Sequence, residues 1–230
     1  MIIWAMTAAF AGPCEDYALF EPSTSTTLTY FDRKGRVASN VITENREVRP
    51  DGSALLHART TDKRGKEVVS VDYEMQCDDS GAVSVDMKAF LPPELFSAYA
   101  GQHDIAIEST ALSFPDSMTA GQALPDAHLT ANLTGSGGGP SPLGDIKIRV
   151  DLHDRRVVGQ ESVTVPAGTF DAWKITSKST IVTHMVMKIS VATSATDWYV
   201  PGLGIVRSET VRNNGKSAGH AELTALSRGG

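Results

Sequence analysis

Helical periodicity is almost missing from this 230-residue chain, cysteine occurs only twice, and no apolar run is long enough to cross a bilayer as a helix. No Cys-x-x-Cys is present, which leaves zinc ribbons and dithiol redox catalysis without support. Positive charge is scarce: 21 Lys and Arg against 27 Asp and Glu give a net charge of −6. A phosphate backbone is therefore not the expected partner, and nucleic acid is set aside. Also missing are a Gly-x-Ser-x-Gly elbow, a Ser-x-x-Lys pair, a His-Glu-x-x-His helix and a complete phosphate-binding loop, each of which has a mechanical reason for its spacing. Gly215-Lys216-Ser217 copies only the end of such a loop, since Thr210 stands where its first glycine belongs. The histidines His57, His103, His128, His153, His184 and His220 never fall at i, i+2 or i, i+4, so neither a metal nor another cofactor is expected. Without a nucleophile–base pair, catalysis is not expected either.

What is present starts with an apolar N-terminus. Ile2 to Phe10 is apolar apart from Thr7, and the first charged side chain is Glu15. This predicts a secretory leader over residues 1–11, with Ala9-Phe10-Ala11 as a small-x-small cleavage site. The alternatives are a buried N-terminal element, or acylation of Cys14, which would be the one route to membrane association. Export to the periplasm or beyond places the only two cysteines, Cys14 and Cys77, in an oxidising compartment, where a single structural disulfide is the simplest pairing. Two unpaired buried thiols are the competing reading.

The remaining pattern has a period of two. Val69, Val71, Tyr73, Met75 and Cys77 alternate with Ser70, Asp72, Glu74 and Gln76; Ile146, Ile148, Val150 and Leu152 alternate with charged residues; and Met185, Met187, Ile189 and Val191 continue the theme. These are half-buried antiparallel strands. Asp32 to Arg36, Asp62 to Lys66 and Asn213 to Lys216 each place Asp or Asn early and Gly late, as tight hairpin turns require. Pro166-Ala167-Gly168 and Pro201-Gly202-Leu203-Gly204 read as further corners. The one helical candidate is short, near 93–100, with Pro at its start and Gly101 at its end. A Gly/Ser/Pro-rich stretch at 135–144 reads as a flexible hairpin loop, the alternative being a linker between two similar β subdomains.

Charge is unevenly spread. Glu67 to Asp126 holds eleven acids against Lys88 alone, whereas bases dominate Asp32 to Lys66. Complementary cross-strand pairs explain this more simply than a cation site at Asp78 and Asp79. Most aromatics on strands are ordinary core. A strongly twisted sheet that fails to fill its own concave face could instead hold an apolar ligand there, with Trp173, Met187, Trp198 and Tyr199 as candidate liners.

A set of motifs occurs in a fixed order: Leu28-Thr29-Tyr30 before the first turn, Cys77, the segment Val85 to Glu94, Gly121 to Asp126, Val165 to Asp171, and Trp198 to Glu209. In this combination, over roughly residues 14–227, the chain resembles the TapB family of bacterial exported proteins, related to a group of secreted β-proteins of unknown function common in Bacteroidetes. The resemblance implies an exported antiparallel β protein of the cell envelope with paired cysteines at positions like Cys14 and Cys77; it supplies no catalytic residues.

The expected architecture is all-β: an antiparallel meander curled into an open barrel or a sandwich, forming one domain over 12–230. The expected role is non-catalytic binding or assembly, with an envelope protein recruited at a sheet edge. The alternative role is a periplasmic carrier of a lipid or other apolar ligand, which requires an unfilled apolar cavity of at least about 300 Å3.

Overall fold

The computed structural model describes residues 14, 16–90, 103–135, 145–185 and 187–228. The expected leader over 1–11, the helix near 93–100 and nearly all of the 135–144 stretch lie outside the described residues. Thirteen strands account for most of the rest: β1 (Ser25–Asp32), β2 (Val37–Val48), β3 (Ser53–Asp62), β4 (Glu67–Cys77), β5 (Val83–Asp86), β6 (His103–Ser109), β7 (Ala111–Phe114), β8 (Ala127–Gly135), β9 (Ile146–Val165), β10 (Gly168–His184), β11 (Lys188–Val200), β12 (Gly204–Arg212) and β13 (Ser217–Ser227).

They form one antiparallel sheet in the order β6-β8-β9-β10-β11-β12-β13-β1-β2-β3-β4-β5-β7. The two ends of this order are halves of one extended segment. β6 pairs with β8 while β7, one residue further on, pairs with β5. The chain bends between them at Thr110, whose N–H donates to the His128 carbonyl at 2.9 Å and whose Oγ1 accepts the His128 N–H at 2.8 Å. One kinked segment thus joins both ends of the sheet and nearly closes a barrel. The sandwich alternative falls away, because two packed layers would need two sheets. β8 and β9 pair directly, from Ala127↔Leu152 to Leu133↔Ile146.

The turns form for local reasons. Asp32, Asp62 and Asp78 each accept backbone N–H bonds from residues two and four further on, and Gly35, Gly65 and Gly81 supply the positive φ that follows. Asp78 is therefore occupied in building a turn, and no group of three potential metal ligands exists among the described residues. The period-two pattern sends Tyr73, Met75 and Cys77 inward and leaves Asp72, Glu74 and Gln76 outside. Outside, acids and bases pair across strands, as in Arg49–Glu74 at 2.7 Å and Lys174–Glu161 at 3.1 Å.

One sequence reading is corrected. Met185, Met187, Ile189 and Val191 do not share a strand: β10 ends at His184, the Met185 N–H donates to the Met187 carbonyl, and β11 starts at Lys188. Alternation passed unbroken through the turn, so periodicity alone could not reveal it. Met187 is consequently 67% exposed, not packed in the core.

The interior holds three apolar clusters. The largest joins β7–β11 through residues such as Leu129, Leu133, Ile146, Ile148 and Ile175, each buried side chain worth about 1.5–3 kcal/mol. The second is built on the N-terminal segment: Cys14 is joined to Cys77 by a disulfide, and Tyr17, Leu19 and Phe20 pack on Leu56, Tyr73 and Met75. This segment is held further by Ala18 N–H donating to the Gly202 carbonyl and by Asn45 Nδ2 donating to the Leu19 carbonyl. The third lies at the far end of the β9–β10 hairpin, where Val163, Val165 and Ala172 meet Trp198, Val206 and Leu223.

Candidate ligand cavity

Between the clusters the barrel is not filled. A cavity of about 330 Å3 runs along the inner face, bounded by β1, β2, β4 and β5 on one side and by β9–β12 on the other. A barrel of this many strands has more girth than its side chains fill. The local sequence adds to the deficit: the inward series of β10 runs Trp173, Ile175, Ser177, Ser179, Ile181, and that of β11 includes Ala195 and Asp197, so small residues stand where large ones would close the space.

One wall is mainly apolar, with Leu28, Val41, Met75, Val85, Met87 and Leu112, and also carries Thr26, Thr43 and Tyr73. The N-terminal segment contributes to it through Tyr17 and Leu19. The opposite wall carries Val150, Leu152, Ile175, Ile181 and Ile205 as well, but it adds a polar patch of Ser177, Ser179, Asp197 and Ser208 on three adjacent strands. Tyr30 faces that wall from β1. It keeps 40% of its surface accessible even though its register places it inside, between inward Leu28 and the barrel end. That accessible surface is cavity wall, and the same explains why Asp197 lies deep in the protein yet is only half-buried.

The electrostatics follow from burial. Burial first, then the negative charge of Asp197, pushes the Tyr30 hydroxyl up to about 12. The Asp197 carboxyl is itself raised by burial, against the opposing pull of a hydrogen bond from Ser208 and of the Arg155 charge. Arg155 is buried and brought down to about 10, chiefly by desolvation. Its guanidinium is committed to the frame: Nη1 donates to the Ser113 and Pro125 carbonyls at 3.1 and 2.8 Å, Nη2 to Ser113 at 3.1 Å, and the group sits 5.1 Å above the Phe114 ring. Phe114 in turn stacks on Tyr199 with centroids 4.3 Å apart. Ser177 differs from these, because its buried hydroxyl has no hydrogen-bond partner.

Of the four liners expected from sequence, Tyr199 forms part of the wall. Trp173 shares its face and packs half-buried on the main core, away from the cavity. Trp198 points away from the cavity and is buried in the third apolar cluster; its Nε1 donates to Glu161 Oε1 at 2.7 Å, and Lys174 and Arg207 lie 5.2 Å from its ring on cation–π terms. Adjacent residues of a strand point to opposite faces, so Trp198 and Tyr199 could not both be liners. Met187 is exposed at the β10–β11 turn. The residues that sequence reasoning missed are the polar ones, Ser177, Ser179, Asp197, Ser208 and Arg155. A signal existed for the serines: two adjacent inward positions in an otherwise apolar series break the pattern without a turn to justify it.

A family model described as DUF3108-like matches residues 22–223. Among solved structures, a Bacteroides fragilis protein described as exported and with a YmcC-like fold superposes with a TM-score of 0.71 at 20% identity, covering 90% of this chain and 97% of that one. A Parabacteroides distasonis protein described as a lipoprotein gives a TM-score of 0.71 at 21% identity, covering 90% and 95%. At such identities the likeness concerns the fold. No curated protein matches the sequence.

Proposed function

The chain belongs to the DUF3108-like family, and on that footing we propose that it is an exported, non-catalytic carrier that holds a small amphiphile inside its barrel. The observation that carries this reading is the interior space of about 330 Å3, lined mainly by apolar side chains with a polar patch of Ser177, Ser179, Asp197 and Ser208 on one wall. It lies within the roughly 300–1,000 Å3 range of ligand pockets. Recruitment of a partner at a sheet edge draws less support, since β6 and β7 tie the two ends of the sheet to one segment.

Export is supported by three features: the apolar residues 2–10, the Cys14–Cys77 disulfide, and the description of two fold neighbours as exported and as a lipoprotein. The finer kinship with TapB proteins belongs to the same proposal and rests on the ordered motifs given above. The strands turn apolar residues in and charged residues out, the reverse of a lipid-embedded barrel, which suits a carrier that works in water.

Native mass spectrometry of protein purified from an exporting bacterial host, followed by denaturation and identification of what is released, tests the reading. A stoichiometric small amphiphile is the expected result. A clean unliganded mass, together with failure of an environment-sensitive naphthylamine dye to bind, would overturn it.

A further inference from the structure

Resting on the carrier reading, we infer that the polar patch on the β10–β12 wall is a head-group site, and that it selects a neutral, hydroxyl-bearing lipid such as a monoacylglycerol over a fatty acid of the same chain length. Ser177 and Asp197 carry the argument. The register pairs Ser177 with Ala195 and Ile175 with Asp197, which makes Ser177 and Asp197 diagonal neighbours on one face. Their Cβ atoms are then about 7–8 Å apart. Both residues line the cavity.

That group is missing from the protein's own hydrogen bonding. Ser177 is only 4% exposed and its hydroxyl has no partner, which is costly unless something else in the cavity bonds to it. Asp197 has Ser208 as its side-chain partner and retains acceptor capacity. Tyr30 adds a hydroxyl from the opposite wall. Hydroxyl groups both donate and accept, so a polyol head satisfies Ser177, Asp197 and Tyr30 together.

Charge decides against the ionic alternatives. A carboxylate head would be brought up to Asp197, and the buried cation Arg155 already spends donors on the Ser113 and Pro125 carbonyls. An ammonium head would share the same interior with Arg155, whose charge already acts on Asp197. A neutral head avoids both repulsions, while the apolar wall of Leu28, Val41 and Met75 accepts the chain.

The test measures binding of glycerol monodecanoate, decanoate and decylamine to the full chain at neutral pH by displacement of the naphthylamine dye. The monoacylglycerol is expected to bind roughly tenfold or more tightly than decanoate, the scale of one unpaired buried group. Ser177→Ala should weaken monoacylglycerol binding about fivefold and leave decanoate unchanged. Asp197→Asn should improve decanoate binding and so narrow the preference; a melting temperature near that of the parent shows that the variant is folded. Equal binding of all three probes, or tightest binding of decanoate or decylamine, overturns the head-group inference while the carrier reading stands. Failure of every probe and of the dye overturns the carrier reading itself.

Discussion

At the residue scale, side chains next to each other in sequence do different work because a strand has two faces. Trp198 points away from the cavity, packed in the third apolar cluster and bonded to Glu161, whereas Tyr199 borders the cavity. Trp198→Phe removes the bond to Glu161 and is expected to cost about 1–2 kcal/mol in urea unfolding, with dye binding unchanged. A loss of dye affinity without a loss of stability would contradict this placement. The aspartates divide in the same manner. Arg36 holds Asp32 down at about 2, so this turn contributes stability that is present above the ordinary carboxylate range and lost as pH falls toward about 2. Asp197 acts in the opposite direction. Burial raises its folded-state pKa, so the unfolded chain releases that proton first and stability declines as pH climbs above about 4. Unfolding midpoints followed across this range should show a shallower acid limb in Asp32→Ala and a removed upper decline in Asp197→Asn. Both aspartates are plain in the sequence; which of them is buried is not, because nothing local distinguishes an inward Asp from a solvated one.

At the scale of elements, the hairpins were legible and the strand ends less so. The Asp-to-Gly turns at 32–36 and 62–66 form where their residue types require, because Asx bonding and positive φ are local properties. The Met185–Met187 turn has no such chemistry and was hidden within a continuous alternation. Glycine shows the same division. Gly215 has a φ of +73° with open space around its Cβ position, as expected for a turn. Gly219 has a φ of +142°, and a Cβ there would run into the Phe31 carbonyl of the paired strand β1. Gly215→Ala is therefore expected to cost about 1 kcal/mol, the conformational term alone. Gly219→Ala should cost distinctly more, since backbone must also move. Equal midpoints for the two variants in denaturant would show that β1 and β13 can separate freely.

At the scale of the molecule, two devices turn a meander into a container. The first is the kink at Thr110, which lets one segment pair with both ends of the sheet. Thr110→Val deletes the acceptor of the His128 N–H, and amide exchange at His128 should accelerate roughly tenfold, about 1.4 kcal/mol of local opening. Exchange at the parent rate would mean that the seam is held elsewhere. The second is the N-terminal segment, tied by Cys14–Cys77 and placing Tyr17 and Leu19 in the cavity wall. Replacing both cysteines by serine should lower stability by about 2–4 kcal/mol and weaken dye binding together; weakened stability with intact binding would show that the segment does not need its tether to seal the interior. By itself the sequence determined the all-β class, the positions of most turns, the inward face of each strongly alternating strand and the pair of cysteines available to a disulfide, because these depend on residue type and spacing along a few neighbouring residues. Only the tertiary structure decided that the sheet nearly closes into a barrel, that Trp198 faces away from the cavity, and that Ser177, Asp197 and Tyr30 line one unfilled space. Those outcomes depend on strand order, register and girth, which are set by contacts between residues far apart in the chain.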